Sequence, residues 1–235
     1  LSYHILLNNA IPSVPPHAII ALMEFIDGIF YVVILIMSVV IHEFAHGYMA
    51  YRLGDQTARM AGRLTLNPLK HLDMFGSIVL PLLLIITKAG FVIGWARPVP
   101  YNPRNLRNGK QGTLLVAIAG ICANLAIAII FGLLIRFAPL FGLPPATLDP
   151  NVIHPFYHIA TTIVLLNIVL AVFNLVPIPP LDGSKILFSI LPARYRFIEE
   201  FLERWALFVL LFFILFLWNV MSPIIFTIFS VLTGM

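Results

Sequence analysis

The sequence has few charged residues: Asp, Glu, Lys and Arg make up 10% of its 235 residues, whereas about 25% is usual in soluble domains. So few charges cannot cover the surface of a water-soluble particle of this size, which excludes a soluble enzyme and a disordered tail. The single cysteine, Cys122, excludes a domain held together by internal disulfides. The basic residues lie in short segments between apolar runs, so nucleic-acid binding is not expected.

Hydrophobic residues make up 60% of the chain and stand in long runs with little charge. Four such runs cover residues 27–52, 110–136, 149–182 and 205–235. Each can supply the roughly 20 residues with which a helix crosses about 30 Å of hydrocarbon. The sequence therefore predicts an all-α polytopic membrane protein with about four transmembrane helices, in one domain over residues 1–235.

The basic residues are distributed unevenly around these runs. Three groups of four follow the first run, precede the second, and lie between the last two. Basic residues mark the cytoplasmic flanks of membrane helices. All three groups can share that face only if the apolar segment 74–94, which contains Pro81, Lys88, Gly90 and Gly94, enters the membrane and returns on the same side. We therefore expect 74–94 to be a re-entrant segment.

An HExxH motif, His42-Glu43-Phe44-Ala45-His46, lies inside the first run. Residues four apart share one face of a helix, so both histidines can bind one zinc ion while the glutamate reaches the water on it. The glutamate would lie roughly ten residues, or about 15 Å, from the basic end of the helix. A carboxylate at that depth costs several kcal/mol unless it is paired or functional. The alternative is a polar cluster that holds helices together.

A catalytic zinc ion usually has three protein ligands and one water, so a third ligand is required. Arg52 stands where the metzincin pattern would place its third histidine, which excludes that family. Asp182 ends a long apolar run and follows three prolines within residues 177–181, which prevent a regular helix. Unwound chain at membrane depth is tolerated only where it is buried in protein or lines a cavity. Asp182 is therefore the candidate third ligand; a turn at a helix end is the alternative.

Together these motifs resemble the site-2 protease family of intramembrane zinc metalloproteases. HEFAH on a membrane helix is followed about 130 residues later by NLVPIPPLDG (174–183). The segments between them fall in the family's order: GRLTLNPLKHLD (62–73), GWARPVPYNPRNLR (94–107) and GICAN (120–124). The resemblance covers most of the chain, and the pair of metal motifs is highly specific.

The resemblance implies one zinc ion per chain, with the ligands His42, His46 and Asp182. It implies that Glu43 is the catalytic base. It also implies a substrate-contacting role for Asn174 and a supporting role near the metal for Asn124, and both are candidate substrate-binding residues. The catalytic core is expected at about residues 28–190.

Two features depart from the family pattern. The family commonly has Gly-Pro where this chain has Gly120-Ile121. Many members also carry a PDZ domain between the metal motifs or a pair of CBS domains after them. The basic loop of about 19 residues (95–113) leaves no room for the first. We therefore expect a minimal form without PDZ or CBS domains.

The expected function is zinc-dependent hydrolysis of peptide bonds in or near the transmembrane segments of other proteins, as in regulated intramembrane proteolysis. The partners would be a transmembrane protein or peptide substrate and the lipid bilayer. The expected location is the cell membrane of a prokaryote, with the zinc site toward the cytoplasmic side.

Two other functions are compatible with the residues. A metal or ion transporter with an intramembrane His/Asp site would string polar residues across the full membrane depth. A non-catalytic membrane scaffold could retain a relic zinc site, although such a site would have no use for Glu43.

A short β element is expected close to the first motif. Residues 59–68 alternate Thr and Leu around Thr65, a period of two that favours a short membrane-associated strand. An extended substrate could add to its free edge through main-chain hydrogen bonds, which makes Thr65 a candidate substrate-binding residue. An interfacial loop is the alternative.

Overall fold

The computed structural model describes residues 16–87, 96–144 and 154–235, which are predominantly helical. In chain order the α-helices are α1 (Pro16–Arg52), α2 (Thr57–Met60), α3 (Leu80–Ile86), α4 (Gly109–Phe137), α5 (Pro155–Asn174), α6 (Asp182–Ile190), α7 (Arg196–Arg204), α8 (Ala206–Phe212) and α9 (Trp218–Thr233).

Three helical segments are long and apolar enough to cross a membrane. They are Phe25–Arg52 with 28 residues, Gly109–Phe141 with 33 and Pro155–Asn174 with 20. Their outer surfaces carry many exposed apolar side chains, which suit contact with lipid rather than water. The protein is therefore a multi-pass membrane protein, and three of the four predicted spans meet the length and composition of a membrane helix.

The fourth predicted span is helical but less regular. α8 continues through a π-helical turn (Phe213–Leu217) into α9, which contains Pro223. Within α9, the apolar stretch Asn219–Thr233 is shorter than the roughly 20 residues that a membrane helix requires. A fourth crossing therefore stays a prediction.

The core lies where α4 packs against both α1 and α5 and α9 closes over α4 and α5. Small residues allow these helices to approach closely. A β-carbon at Gly132 of α4, for example, would lie 2.9 Å from the β-carbon of Leu232 in α9. The buried apolar residues at these crossings include Ala128, Ile135, Tyr157, Ala160, Val164, Ile168, Ile225 and Phe229. These residues hold α4, α5 and α9 together, and α1 packs against both α4 and α5.

The segment predicted to be re-entrant begins as a π-helix (Met74–Val79) followed by α3. Its two ends meet, because the backbone N–H of Arg97 donates to the carbonyl oxygen of His71 at 2.8 Å. The chain therefore leaves and returns at one place, as a hairpin does. Lys88, Gly90 and Gly94 lie outside the described residues, and membrane entry stays a prediction.

The strand predicted for residues 59–68 is not found, and the described ranges contain no strand. α2 is followed by a turn, and Thr65 lies in a bend. The backbone groups here bond locally: the N–H of Arg63 donates to the Ala58 carbonyl at 2.9 Å. The carbonyl of Thr65 accepts a hydrogen bond from His71 Nε2 at 2.8 Å. Alternation favoured a strand, but a strand needs a neighbour to pair with, and these groups are already bonded.

Candidate metal centre

His42 and His46 lie one turn apart on the same face of α1, as their spacing predicted. Their Nε2 atoms are 2.9 Å apart, and their rings are nearly perpendicular, at 88°. Both side chains are buried. α1 therefore directs two nitrogen donors to one point inside the protein.

Asp182 lies at the same point, although it is 140 residues from His42 in the sequence. α5 ends at Asn174, the proline-rich residues 175–181 form turns, and Asp182 opens α6. Its Oδ2 atom lies 3.0 Å from Nε2 of His42 and 2.9 Å from Nε2 of His46. Because the unwound stretch is short, it brings a buried carboxylate directly against α1.

The other ring nitrogens of the two histidines are held by oxygen acceptors. Nδ1 of His42 donates to Oδ1 of Asn124, and Nδ1 of His46 donates to the carbonyl oxygen of Val116 at 2.7 Å. An oxygen acceptor requires the proton on Nδ1, so each neutral ring keeps its lone pair on Nε2. Nε2 is then the atom through which each histidine could bind a metal ion.

This donor set fits a zinc ion. Two imidazole lone pairs and a carboxylate oxygen converge within 3.0 Å of one another. Three acceptors at such distances repel each other unless a cation or a proton lies among them. Two nitrogens and one oxygen are the His₂-carboxylate set of catalytic zinc sites, which leaves a fourth position for water.

Asn124 belongs to a polar chain that crosses three helices. Its Nδ2 donates to Oδ1 of Asn167 in α5 at 2.8 Å, and Nδ2 of Asn167 donates to Oγ of Ser38 in α1 at 2.9 Å. Asn124 and Asn167 are fully buried. The network orients Asn124, which in turn orients His42. The sequence analysis did not identify Asn167 or Ser38. A polar amide such as Asn167 inside an apolar span does indicate a position with a polar partner.

Gly120 of α4 provides the space for the two imidazoles. A β-carbon there would lie 2.5 Å from Cε1 and Nε2 of His46 and 2.7 Å from Cε1 of His42. Such distances are too short for any side chain at this position. The family's following proline is Ile121 here, and α4 continues as an α-helix through it.

The carboxylates of Glu43 and Asp182 each accept a hydrogen bond from a group outside the His–Asp cluster. Oε2 of Glu43 accepts a hydrogen bond from the backbone N–H of Val99 at 2.8 Å. Oδ1 of Asp182 accepts from Nζ of Lys185 at 2.9 Å, which directs its other oxygen toward the histidines. Val99 and Lys185 were not predicted as site residues, because nothing in the sequence shows which backbone group or lysine reaches a given carboxylate.

The remaining predicted residues bond within their own segments. Nδ2 of Asn174 donates to the carbonyl of Leu170 at 2.9 Å, one turn earlier in α5. Oγ1 of Thr65 accepts from the N–H of Asn67 at 3.2 Å. The structure therefore brings His42, His46, Asn124 and Asp182 into contact in one site, and Glu43 is the residue that follows His42 on α1. It gives Asn174 and Thr65 no bond to that site.

Asp55, just after α1, anchors the loop that carries Val99. Oδ2 of Asp55 accepts from the N–H of Asn102 at 2.7 Å, and Oδ1 accepts from Nδ2 of Asn105 at 2.9 Å. Burial alone would raise the pKa of this carboxyl. The hydrogen bonds from Thr57, Asn105 and Asn102 outweigh burial and hold the pKa of Asp55 below its ordinary value.

Comparison with known proteins places this site in context. The family model described as Peptidase family M50 matches residues 146–217, which include Asp182. YwhC of Bacillus subtilis, provisionally named a zinc metalloprotease, is 42% identical over 165 residues, 70% of this chain and 70% of that protein. No solved structure matches the chain significantly.

More distant relatives carry similar names. Rip2 of Mycolicibacterium smegmatis, also provisionally named a zinc metalloprotease, is 36% identical over 159 residues, 66% of this chain but 56% of that protein. The zinc metalloprotease MJ0392 of Methanocaldococcus jannaschii is 26% identical over 185 residues, 77% of this chain and 41% of that protein. The matched region covers a smaller share of Rip2 and MJ0392 than of YwhC.

Proposed function

The chain belongs to peptidase family M50, the site-2 protease family of intramembrane zinc metalloproteases, and we propose that His42, His46 and Asp182 hold its zinc ion. Glu43 is the general base in this proposal. The observation that carries it is the convergence of three buried acceptor atoms within 3.0 Å, with Glu43 on the same helix as the two histidines. The reaction is hydrolysis of peptide bonds in or near transmembrane segments of membrane proteins.

His42, His46 and Asp182 would hold the zinc ion, which would supply Lewis acidity for the scissile carbonyl and for the attacking water. Glu43 would take a proton from the attacking water and pass it to the nitrogen of the leaving amine. Asn124 and the Val116 carbonyl keep the two histidines in the tautomer and orientation that this requires. His42, His46 and Asp182 are buried in the helix bundle, which shields them from bulk water.

The substrate is proposed to be an unwound part of another protein's transmembrane segment, cleaved internally as by an endopeptidase. A helical backbone hides its carbonyls in internal hydrogen bonds, so the scissile stretch has to be extended. Asn174, at the end of α5 and beside the proline-rich turns, is a candidate contact for that stretch. Thr65 is a weaker candidate, because its carbonyl is bonded to His71.

The proposed setting is the cytoplasmic side of a prokaryotic cell membrane. The distribution of basic residues supports this orientation, and the relatives named above come from bacteria and an archaeon. A metal or ion transporter is not favoured, because the family and the named relatives are metalloproteases.

Ligand substitutions test the proposed site. The purified protein should contain about one zinc ion per chain and cleave a single-span transmembrane peptide, and a chelator should abolish cleavage. Asp182→Ala and His46→Ala should each lose both zinc and cleavage, because each removes a ligand. An Asp182→Ala variant with full zinc content and normal cleavage would contradict the assignment of the third ligand.

A further inference from the structure

The side-chain carboxylate of Glu43 accepts a hydrogen bond from the backbone of a distant loop residue. The donor is the N–H of Val99, 2.8 Å from Oε2 of Glu43. Val99 stands between Pro98 and Pro100, and proline has no N–H. Val99 therefore carries the only backbone donor among residues 98–100, and that donor is directed at the glutamate next to His42.

The side chain of Val99 packs against the same helix as Glu43. Val99 is 5% exposed. It rests on Gly47, one turn further along α1 than Glu43. A β-carbon at Gly47 would lie 2.7 Å from Cγ1 of Val99, whereas its next neighbours would be 3.4 Å away. Val99 can approach α1 closely enough to reach Glu43 because residue 47 has no side chain.

The chain on both sides of Val99 is anchored independently of Glu43. Nη2 of Arg63 donates to the carbonyl of Arg97 at 2.7 Å, and the N–H of Asn102 donates to Asp55 at 2.7 Å. Arg97 and Val99 each precede a proline, which restricts both to extended backbone. The direction of the Val99 N–H is therefore set by its surroundings rather than by Glu43.

We propose that Val99 is a positioning residue for the reaction: its backbone N–H fixes Oε2 of Glu43 and leaves Oε1 to take the proton from water. The proposal rests on the proposed role of Glu43 as general base. A glutamate side chain has several rotatable bonds, and a base acts only in the orientations that reach its proton. A bond to a fixed backbone donor selects one of these orientations before substrate binds.

Substitutions at Val99 test the effect on the reaction. Val99→Pro removes the N–H while keeping an extended backbone, and Val99→Ala keeps the N–H. With zinc content at the wild-type level, Val99→Pro should lower kcat on a single-span transmembrane peptide about ten-fold or more, part of the roughly 10²–10⁴-fold that general base catalysis contributes. KM should stay near the wild-type value, and Val99→Ala should keep most of kcat. An unchanged kcat of Val99→Pro would overturn the proposal. A raised kcat would also overturn it, because the Val99 hydrogen bond would then hinder Glu43 rather than position it.

A rescue experiment covers the case in which Val99→Pro does not fold. Gly47→Ala places a β-carbon against Cγ1 of Val99 and should displace its N–H from Glu43, which lowers kcat. Adding Val99→Ala removes Cγ1 and should restore most of kcat in the double variant. A double variant no faster than Gly47→Ala, with zinc bound in both, would overturn the proposal.

Hydrogen exchange tests the contact separately from activity. Val99 supplies the only exchangeable backbone amide among residues 98–100, so the difference between overlapping peptides that end at residues 97 and 100 reports on it. Its exchange should be slow in the wild type, equally slow in Glu43→Gln, which keeps an acceptor oxygen, and faster in Glu43→Ala. Equal exchange in the wild type and Glu43→Ala would overturn the contact. A wild type with slow exchange but no cleavage would instead contradict the proposed function.

Discussion

Gly183 lies so close to the backbone of Leu175 that a β-carbon at residue 183 would be 2.3 Å from the Leu175 carbonyl oxygen. The carbonyl oxygen of Val176 would be equally near. The chain therefore folds back on itself between the end of α5 and the start of α6. This close approach is what places the neighbouring Asp182 beside His42 and His46.

Gly183→Ala should therefore cost zinc binding as well as stability. The added methyl group has no space, and overpacking typically costs about 1–3 kcal/mol or more when only backbone can yield. Zinc content and thermal unfolding in detergent are the measurements. Gly28→Ala is the matched control, because nothing lies within 4 Å of a β-carbon at Gly28. A Gly183→Ala variant with full zinc content would contradict the role of this contact.

Asn167→Leu should weaken zinc binding without touching a ligand. The substitution removes the oxygen to which Nδ2 of Asn124 donates. The Asn124 side chain then loses its fixed orientation, and with it the hydrogen bond that orients His42. Loss of such a supporting bond typically costs about 10–100-fold in metal affinity. A competition titration with a zinc chelator measures it, with Cys122→Ala, an exposed position on α4, as the control. Equal affinity of Asn167→Leu and Cys122→Ala would show that the network does not support the site.

Asp55→Asn should destabilise the fold in a pH-dependent way. Asp55 has a folded pKa below its ordinary value of 3.8, so its stabilisation is fully present above that value and is lost as the pH falls below it. The amide variant turns one acceptor into a donor that faces an N–H, at a cost of about 1–3 kcal/mol.

The wild type and Asp55→Asn should therefore differ in unfolding temperature at pH 7, and the difference should shrink as the pH falls to about 3. A difference that stays constant across this range would contradict the assigned role of Asp55.

The orientation of the chain can be tested with single cysteines in a Cys122→Ala background. Cysteines in place of Arg104 and Arg196 should react with a membrane-impermeant reagent from the cytoplasmic side, because basic flanks are retained there. A cysteine in place of Thr147, which lies outside the described residues, should react from the opposite side. Labelling of the Arg104 and Thr147 positions from the same side would contradict the predicted topology and the hairpin reading of 74–94.

The three proposed ligands could be singled out from the sequence because the signals that mark them are largely local. His42 and His46 meet through helix periodicity alone, and Asp182 stands out as an acid in a proline-broken apolar run. Their convergence in the structure agrees with the ligand set that the family resemblance implies.

The residues that hydrogen-bond to the proposed zinc ligands and to Glu43 could not be predicted, because these contacts depend on how the helices and loops pack. Asn167 meets Asn124 only once α4 and α5 are packed together. Val99 reaches Glu43 only because Gly47, Arg63 and Asp55 hold its segment against α1. The strand predicted around Thr65 is absent for the same reason. The alternation of residue types is a local pattern, whereas the neighbouring strand with which it would pair is not local.

The most direct measurement compares zinc content and cleavage of a single-span transmembrane peptide for the wild type and Glu43→Gln. Glutamine keeps the shape of the side chain and can still accept the Val99 hydrogen bond, but it cannot take a proton from water. Glu43→Gln should bind about one zinc ion per chain and show no detectable cleavage, because the ligands stay and the base is lost. Cleavage by Glu43→Gln at the wild-type rate would contradict the assignment of Glu43 as the base and, with it, the proposed mechanism.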